Sequence, residues 1–257
     1  MTAAHCNAWL DLLEVSCAKS GLTHLDVIVD QAASDVPLLP SVRCVAPPLQ
    51  WQSLFTGLPE EGATELAPLL LRVDLIQPLQ RQWLGNLIQA SRGRSQLLIL
   101  ASPWPFAALA EYLGRCLEAT NGGCDGLLRY YDPRLFPLLF SHVLQPEQQQ
   151  LLLRPAVFWS WLDRDDMPAY LPGCPGVPLA ADDCLPMALS DNQLETLGCA
   201  SDATLAMGNL LAGRTPHWGA EQYFHQCYAA MIEATEAGLL LVSEREAFAL
   251  ERLLAPE

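Results

Sequence analysis

His24 and Asp26 stand two residues apart in an apolar run, a spacing that places both side chains on one face of a strand. An imidazole beside a carboxylate could act as an acid–base pair, although polar residues on a sheet edge explain the same spacing. Asp165-Asp166 and Asp182-Asp183 are paired carboxylates, but both pairs fall in a proline-rich stretch without a rigid element to hold them for proton transfer. His217, His225 and Cys227 come nearest to a metal cluster. On one helix the two histidines would lie roughly 12 Å apart, too far for a single ion to bridge. There is no C-x-x-C, no G-x-S-x-G nucleophile turn and no glycine-rich phosphate loop, and the single lysine, Lys19, sits in the first helical pattern. The expectation is a protein with no catalytic site, no cofactor and no metal.

Composition narrows what remains. Of 257 residues 51% are hydrophobic and only 17% charged, which excludes a disordered chain and leaves a thinly charged exterior that suits a protein partner. The net charge of −15 supplies no basic face for phosphates, so nucleic acid and anionic membrane surfaces are both disfavoured. Beyond Tyr170 twelve acidic residues stand against three arginines, so the last third carries most of that charge. The N-terminus lacks the features of a signal peptide, and no apolar run is long enough to span a bilayer. Nine cysteines without paired spacing suit free thiols. A cytoplasmic location follows as an expectation.

The elements that would position functional residues are legible in part. Helical spacing covers 3–18, and 24–30 reads as a strand. Residues 35–48 read as an irregular crossing with an extended piece at 42–45, and 51–55 as a helical turn. Then come a strand at 69–73, a helix at 78–90 with Leu79, Trp83, Leu87 and Ile88 on one face, and a buried strand at 96–101. Residues 105–120 read as a helix stopped by Asn121-Gly-Gly, and 126–131 as a strand. Helices to about 142 and over 147–153 precede a strand at 156–162. Past the prolines only helical patterns remain, at 191–197, 202–211, 218–237 and 243–254, the last with Ser243 and Glu246 spaced as a capping box. The pattern predicts a mixed α+β fold: an α/β lobe with a mixed sheet over 1–165, a proline-rich linker or extended crossing over 166–189, and a helical lobe over 190–257.

The stretch Gly126-Leu-Leu-Arg-Tyr-Tyr-Asp-Pro-Arg-Leu-Phe-Pro reads as a strand running into a helix. Asp132 suits the N-cap and Pro133 the first helical position, while Pro137 requires a kink or a later start. Arg129 and Arg134 flank Tyr130 and Tyr131, placed to stack on rings or pair with carboxylates. This Leu-Arg-Tyr-Tyr-Asp-Pro-Arg run resembles the hallmark of the type VI secretion effector-chaperone, or effector adaptor, family. Leu54-Phe-Thr-Gly-Leu-Pro-Glu-Glu followed by Leu66-Ala-Pro-Leu-Leu-Leu-Arg-Val-Asp is similar to that family's upstream pattern. The His24–Ala32 segment resembles its opening strand, and Leu144-Gln-Pro-Glu-Gln the helix start after the hallmark.

The resemblance implies a bacterial cytoplasmic adaptor that binds a toxic effector and helps load it onto a VgrG trimer or its PAAR tip. Arg129, Tyr130, Tyr131, Asp132, Pro133 and Arg134 would then be scaffold. The sheet lobe is expected to grip an effector segment with aromatic anchors, for which Trp104, Phe106, Trp159 and Trp161 are the candidates. The acidic helical lobe would steer a basic region of a partner. Two alternatives stay open: an immunity-type inhibitory binding protein, and a hydrolase using His24 and Asp26.

Overall fold

The computed structural model describes residues 4–34, 36–178, 185–210 and 217–254. They fall into two compact units, one from Met1–Phe140 and Leu144–Ala188, the other from Ser141–Val143 and Leu189–Glu257. The class is the mixed α+β fold expected, and among the described residues no helix is long and apolar enough to cross a membrane.

In the first unit α1 (Ala4–Lys19) leads to β1 (His24–Val29), α2 (Leu39–Arg43), β2 (Gln50–Ser53) and β3 (Leu69–Asp74). Then follow α3 (Pro78–Ala90), β4 (Leu97–Ala101), α4 (Phe106–Arg115), β5 (Glu118–Asn121) and β6 (Cys124–Leu127). The short α5 (Phe136–Leu138) continues as a π-helical turn, Leu139–Val143, before α6 (Pro146–Leu153), β7 (Phe158–Leu162), β8 (Pro168–Pro172) and β9 (Met187–Ala188). The main sheet has the order β2-β3-β1-β4-β7-β8 and is antiparallel at every pairing, not mixed. Parallel pairing is confined to β5 with β9 in a small sheet ordered β6-β5-β9.

The central strands are mostly apolar on both sides, interrupted by the buried pair Asp26 and Arg72, because the sheet is covered on both faces. Leu25, Val27, Leu71, Val73 and Ile99 share a core with Trp9, Leu13 and Cys17 of α1 and Leu84 and Ile88 of α3. The alternate residues Asp26, Ile28, Leu70, Leu98 and Leu100 are buried too. The Trp9 indole donates to Ser160 Oγ (2.9 Å), which donates to the Ala169 carbonyl (2.7 Å), so the helix reaches across to the last two strands.

Several expectations need correction. Residues 39–43 form α2, where an extended piece at 42–45 was expected. Residues 50–53 are strand β2 rather than a helical turn, because β3 offers them a partner from Gln50 against Arg72 to Ser53 against Leu69. The helix from 106 ends at Arg115, and Asn121-Gly-Gly is a hairpin turn instead of a helix stop. Gly122 (φ 55°) and Gly123 (φ 87°) join β5 to β6, with Asn121 opposite Cys124, the positive φ pair that a two-residue hairpin requires. The strand read at 126–131 stops at Leu127. The buried face of α3 is Gln80, Leu84 and Ile88, while Leu79 is exposed. Gln80 is inside because its amide accepts from Asp74 N (2.8 Å) and donates to the Pro47 carbonyl (3.0 Å).

The proline-rich stretch supplies β8 on the sheet edge and then threads past the α6–β7 connection. Gly173 N donates to Val157 O (2.9 Å), Cys174 N to Leu153 O (3.0 Å) and Gly176 N to Arg154 O (3.0 Å). A Cβ on Gly173 would stand 1.9 Å from the Ala156 carbonyl oxygen, a backbone atom that cannot swing away. Gly173→Ala is therefore expected to destabilise this unit by about 3 kcal/mol in urea denaturation. A loss below about 0.5 kcal/mol, ordinary for a surface substitution, would contradict the close approach.

The second unit is built on α7 (Asp191–Asn209), α8 (Ala220–Glu236) and α9 (Val242–Leu254). The two helices read at 191–197 and 202–211 are one, running straight through Gly198. Its small residues Cys199, Ala203 and Ala206 are buried, as are Phe224, Cys227, Tyr228 and Met231 of α8. The capping box lies at Ser190 and Gln193, each side chain meeting the other's backbone. Ser243 is already inside α9, and Glu246 accepts from Asn209 Nδ2 (2.7 Å).

Candidate functional site

The exit of β1 is where sequence-distant residues converge. The Asp30 carboxylate caps the turn Gln31–Ala33 through Ala32 N (3.1 Å) and accepts from Arg129 Nη2 (2.8 Å). Gln31 is buried and donates to the carbonyls of Ala67 (2.7 Å) and Thr64 (3.2 Å). The segment leaving the sheet is thus tied at two points before it turns toward α2.

Arg129 belongs to the hallmark stretch, whose residues hold one another. Its guanidinium lies 5.6 Å from the centre of the Tyr131 ring, and the Tyr130 hydroxyl donates to the Leu113 carbonyl (2.9 Å). Asp132 accepts from Arg134 N (2.9 Å), Nε (2.9 Å) and Nη2 (2.7 Å), while its carbonyl accepts from Leu135 N and Phe136 N. Asp132 therefore caps a turn that starts at the buried Pro133 and leads into α5. Burial raises the Asp30 carboxyl above its ordinary range; Arg129 pulls it back, and the nearby Asp132 pushes it further up. Removing Arg129 would leave Asp30 buried beside a second carboxylate. Arg129→Gln is expected to cost about 1–3 kcal/mol in urea denaturation, less than a fully buried pair because the arginine is half-exposed. An unchanged midpoint would show that the pair is not what secures the β1 exit.

Beside this anchored segment lies an open groove of about 500 Å³. Val36, Pro37, Leu38 and Ser41 line it from the segment around α2, and Trp83, Asn86, Leu87 and Ala90 from α3. Val29 and Gln96 come from the paired ends of β1 and β4, where Asp30 N donates to Gln96 O (3.0 Å). The Gln96 side chain is buried, yet its Nε2 has no hydrogen-bond partner. A buried donor without an acceptor is costly. Arg94 stands among the lining residues, and none of those described is acidic. The groove can take an apolar segment, with Arg94 as a charged group at its lining.

The expected aromatic anchors are elsewhere. Trp104, Trp159 and Trp161 are core residues with 2%, 0% and 7% of their surface exposed. The Trp104 indole donates to Gly176 O (2.6 Å) and the Trp159 indole to Leu152 O (2.9 Å). Trp159 and Trp161 both pack on Phe136, at 5.1 and 5.3 Å between ring centres. Phe106 is half-buried under the Arg72 guanidinium, 5.7 Å from the ring centre. The three tryptophans are so enclosed that they present almost no surface to a partner, whereas Phe106 keeps part of its ring accessible. Residue types alone missed Trp83, Gln96 and Asp30; a polar residue directly after an apolar strand was the available signal for Asp30.

The residues weighed for chemistry are placed as follows. His24 Nε2 meets the Ser102 carbonyl (3.0 Å), and both Asp26 oxygens accept from Arg72 (2.8 Å each). In the β7–β8 turn Asp166 accepts from Gly93 N (3.0 Å), and Asp165 N donates to Asp163. His225 pairs with Glu221 (3.1 Å), and burial lifts the Cys227 thiol to about 11. Asp182-Asp183 lies outside the described residues.

No curated protein and no solved structure shows significant similarity to this chain. Residues 27–151, which include the β1 exit, the groove and the hallmark stretch, match the model of a family described as a domain of unknown function, DUF4123.

Proposed function

We propose that this protein is a cytoplasmic adaptor that binds a type VI secretion effector and helps load it onto the VgrG or PAAR spike, without catalysing a reaction itself. The observation that carries this reading is the match over residues 27–151, since that family is associated with type VI secretion effector chaperones and adaptors. The geometry supports it. A groove with Trp83, Leu38 and Leu87 along it suits an apolar segment of effector better than a small polar substrate. The pair considered for hydrolysis is committed to scaffold contacts, His24 to a backbone carbonyl and Asp26 to Arg72.

Deleting the gene in its host tests the reading. The cognate effector should remain in the cells while other effectors are still secreted, and the full-length gene supplied in trans should restore its export. Unchanged export would overturn the adaptor role. Protection of a cell from the toxin without any effect on export would instead identify an immunity protein.

A further inference from the structure

We propose that the helical unit docks a basic amphipathic helix of the protein it carries, on an apolar patch made by Leu205, Leu240, Leu241 and Val242; this rests on the adaptor reading and adds a second contact to it. Leu205 is 63% exposed, Leu240 87%, Leu241 61% and Val242 64%. Leu205 and Val242 line one small hollow of about 20 Å³ floored by the buried Met231, with Asp202 and Glu246 also lining it.

The backbone that carries the patch is fixed. At the end of α8, Gly238 (φ 73°) donates to Thr235 O (2.9 Å) and Leu239 N to Ala234 O (3.0 Å), the paired bonds of a Schellman turn. The Leu241 carbonyl then accepts from Glu244 N and Arg245 N (3.0 Å each) and so starts α9. Arg245 Nη1 holds the Leu239 carbonyl (3.1 Å). Three consecutive large apolar residues are thus held outward by a hydrogen-bonded turn, the arrangement of a contact surface.

Charge selects the occupant. Helices α7, α8 and α9 carry nine carboxylates against two arginines, and both arginines are already paired, Arg245 with Asp202 and Arg252 with Glu233. A second copy of a chain with net charge −15 would be repelled, as would an anionic bilayer. An apolar stripe flanked by lysine or arginine complements both the patch and its rim.

The test uses the full-length protein and a labelled synthetic helix of about 18 residues, leucine on one face and lysine on the other, read by fluorescence anisotropy. The control peptide has the same composition in shuffled order. The amphipathic peptide is expected to bind at least about tenfold more tightly than the shuffled one, and the double variant Leu205→Asn, Val242→Asn to abolish that preference. Leu12→Asn, at an exposed position of α1, should leave it intact, and circular dichroism checks that each variant is folded. Equal binding of the two peptides, or a preference that survives the double substitution, would overturn the proposal. So would a dimer of the unmodified protein that the double substitution dissociates, since the occupant would then be a second copy. If the peptide result fails while effector export still depends on the gene, only the patch is wrong; if export does not depend on it, the adaptor reading falls.

Discussion

Replacing Arg72 with methionine is expected to destabilise the sheet unit by about 3–5 kcal/mol near neutral pH. Arg72 on β3 stands directly opposite Asp26 on β1, in the middle of the sheet. Its Nε and Nη2 each donate to one Asp26 oxygen at 2.8 Å, and Nη2 also donates to the Trp104 carbonyl at 3.0 Å. Asp26 is fully buried, so losing the guanidinium leaves a carboxylate with neither counter-charge nor water. Burial already pushes the Asp26 carboxyl up, and Arg72 is the main influence pulling it back. Without that restraint the folded-state value rises further above the unfolded one. An acid shifted upward on folding contributes stability that is complete below its unfolded value and is lost as pH rises through the folded value. The deficit of Arg72→Met should therefore be smaller at about pH 5 than at about pH 8, and Asp26→Leu in the same chain should recover most of it. Urea denaturation at the two pH values decides the matter. Equal deficits at both would mean that the ion pair is not the source of the loss.

Arg245→Met should also cost about 3 kcal/mol, in the helical unit. This side chain, 11% exposed, extends from α9 and joins the other two helices of the unit. Nη1 donates to Thr235 Oγ1 (2.9 Å) and Leu239 O (3.1 Å); Nη2 donates to Met231 O (3.2 Å) and pairs with Asp202 (2.9 Å). Cys199 Sγ lies 3.5 Å from the same nitrogen. Methionine fills similar space but leaves those acceptors without their donor. Arg245→Lys should recover little, because a single ammonium cannot span contacts that the planar fork reaches together. Thermal unfolding followed by circular dichroism reads both variants. A lysine variant as stable as the original would show that charge alone, and not the fork, secures the three helices.

The parts of the fold that were legible in the sequence are those where one signal acts alone. Leu97–Ala101 is an unbroken apolar run that only a strand covered on both faces can bury, and Leu69–Asp74 opens on three leucines of the same kind. Pro78–Ala90 begins at a proline and keeps a helical period throughout. Local patterns failed where a distant partner decides. Gln50–Ser53 is a strand because β3 pairs with it, and nothing within those four residues states that. Asn121-Gly-Gly ends a helix or turns a hairpin equally well, and the sequence after it had to choose. The groove was hidden for the same reason, since residues near 30, 36, 83 and 96 meet only once the sheet has formed. Arg129 and Asp30 are ninety-nine residues apart, so the hallmark showed a charge without showing its partner. Residue type carries no direction, and Trp104, Trp159 and Trp161 lie inside. At Leu240–Val242 three consecutive apolar side chains stand in water.

The adaptor reading is tested most directly by co-expressing the protein with the effector whose export the gene deletion abolishes, and purifying through a tag on either one. A soluble complex of fixed stoichiometry that survives size-exclusion chromatography at about 10 µM is the expected result, as micromolar or tighter association requires. Separate elution of two soluble, folded proteins at that concentration would contradict it.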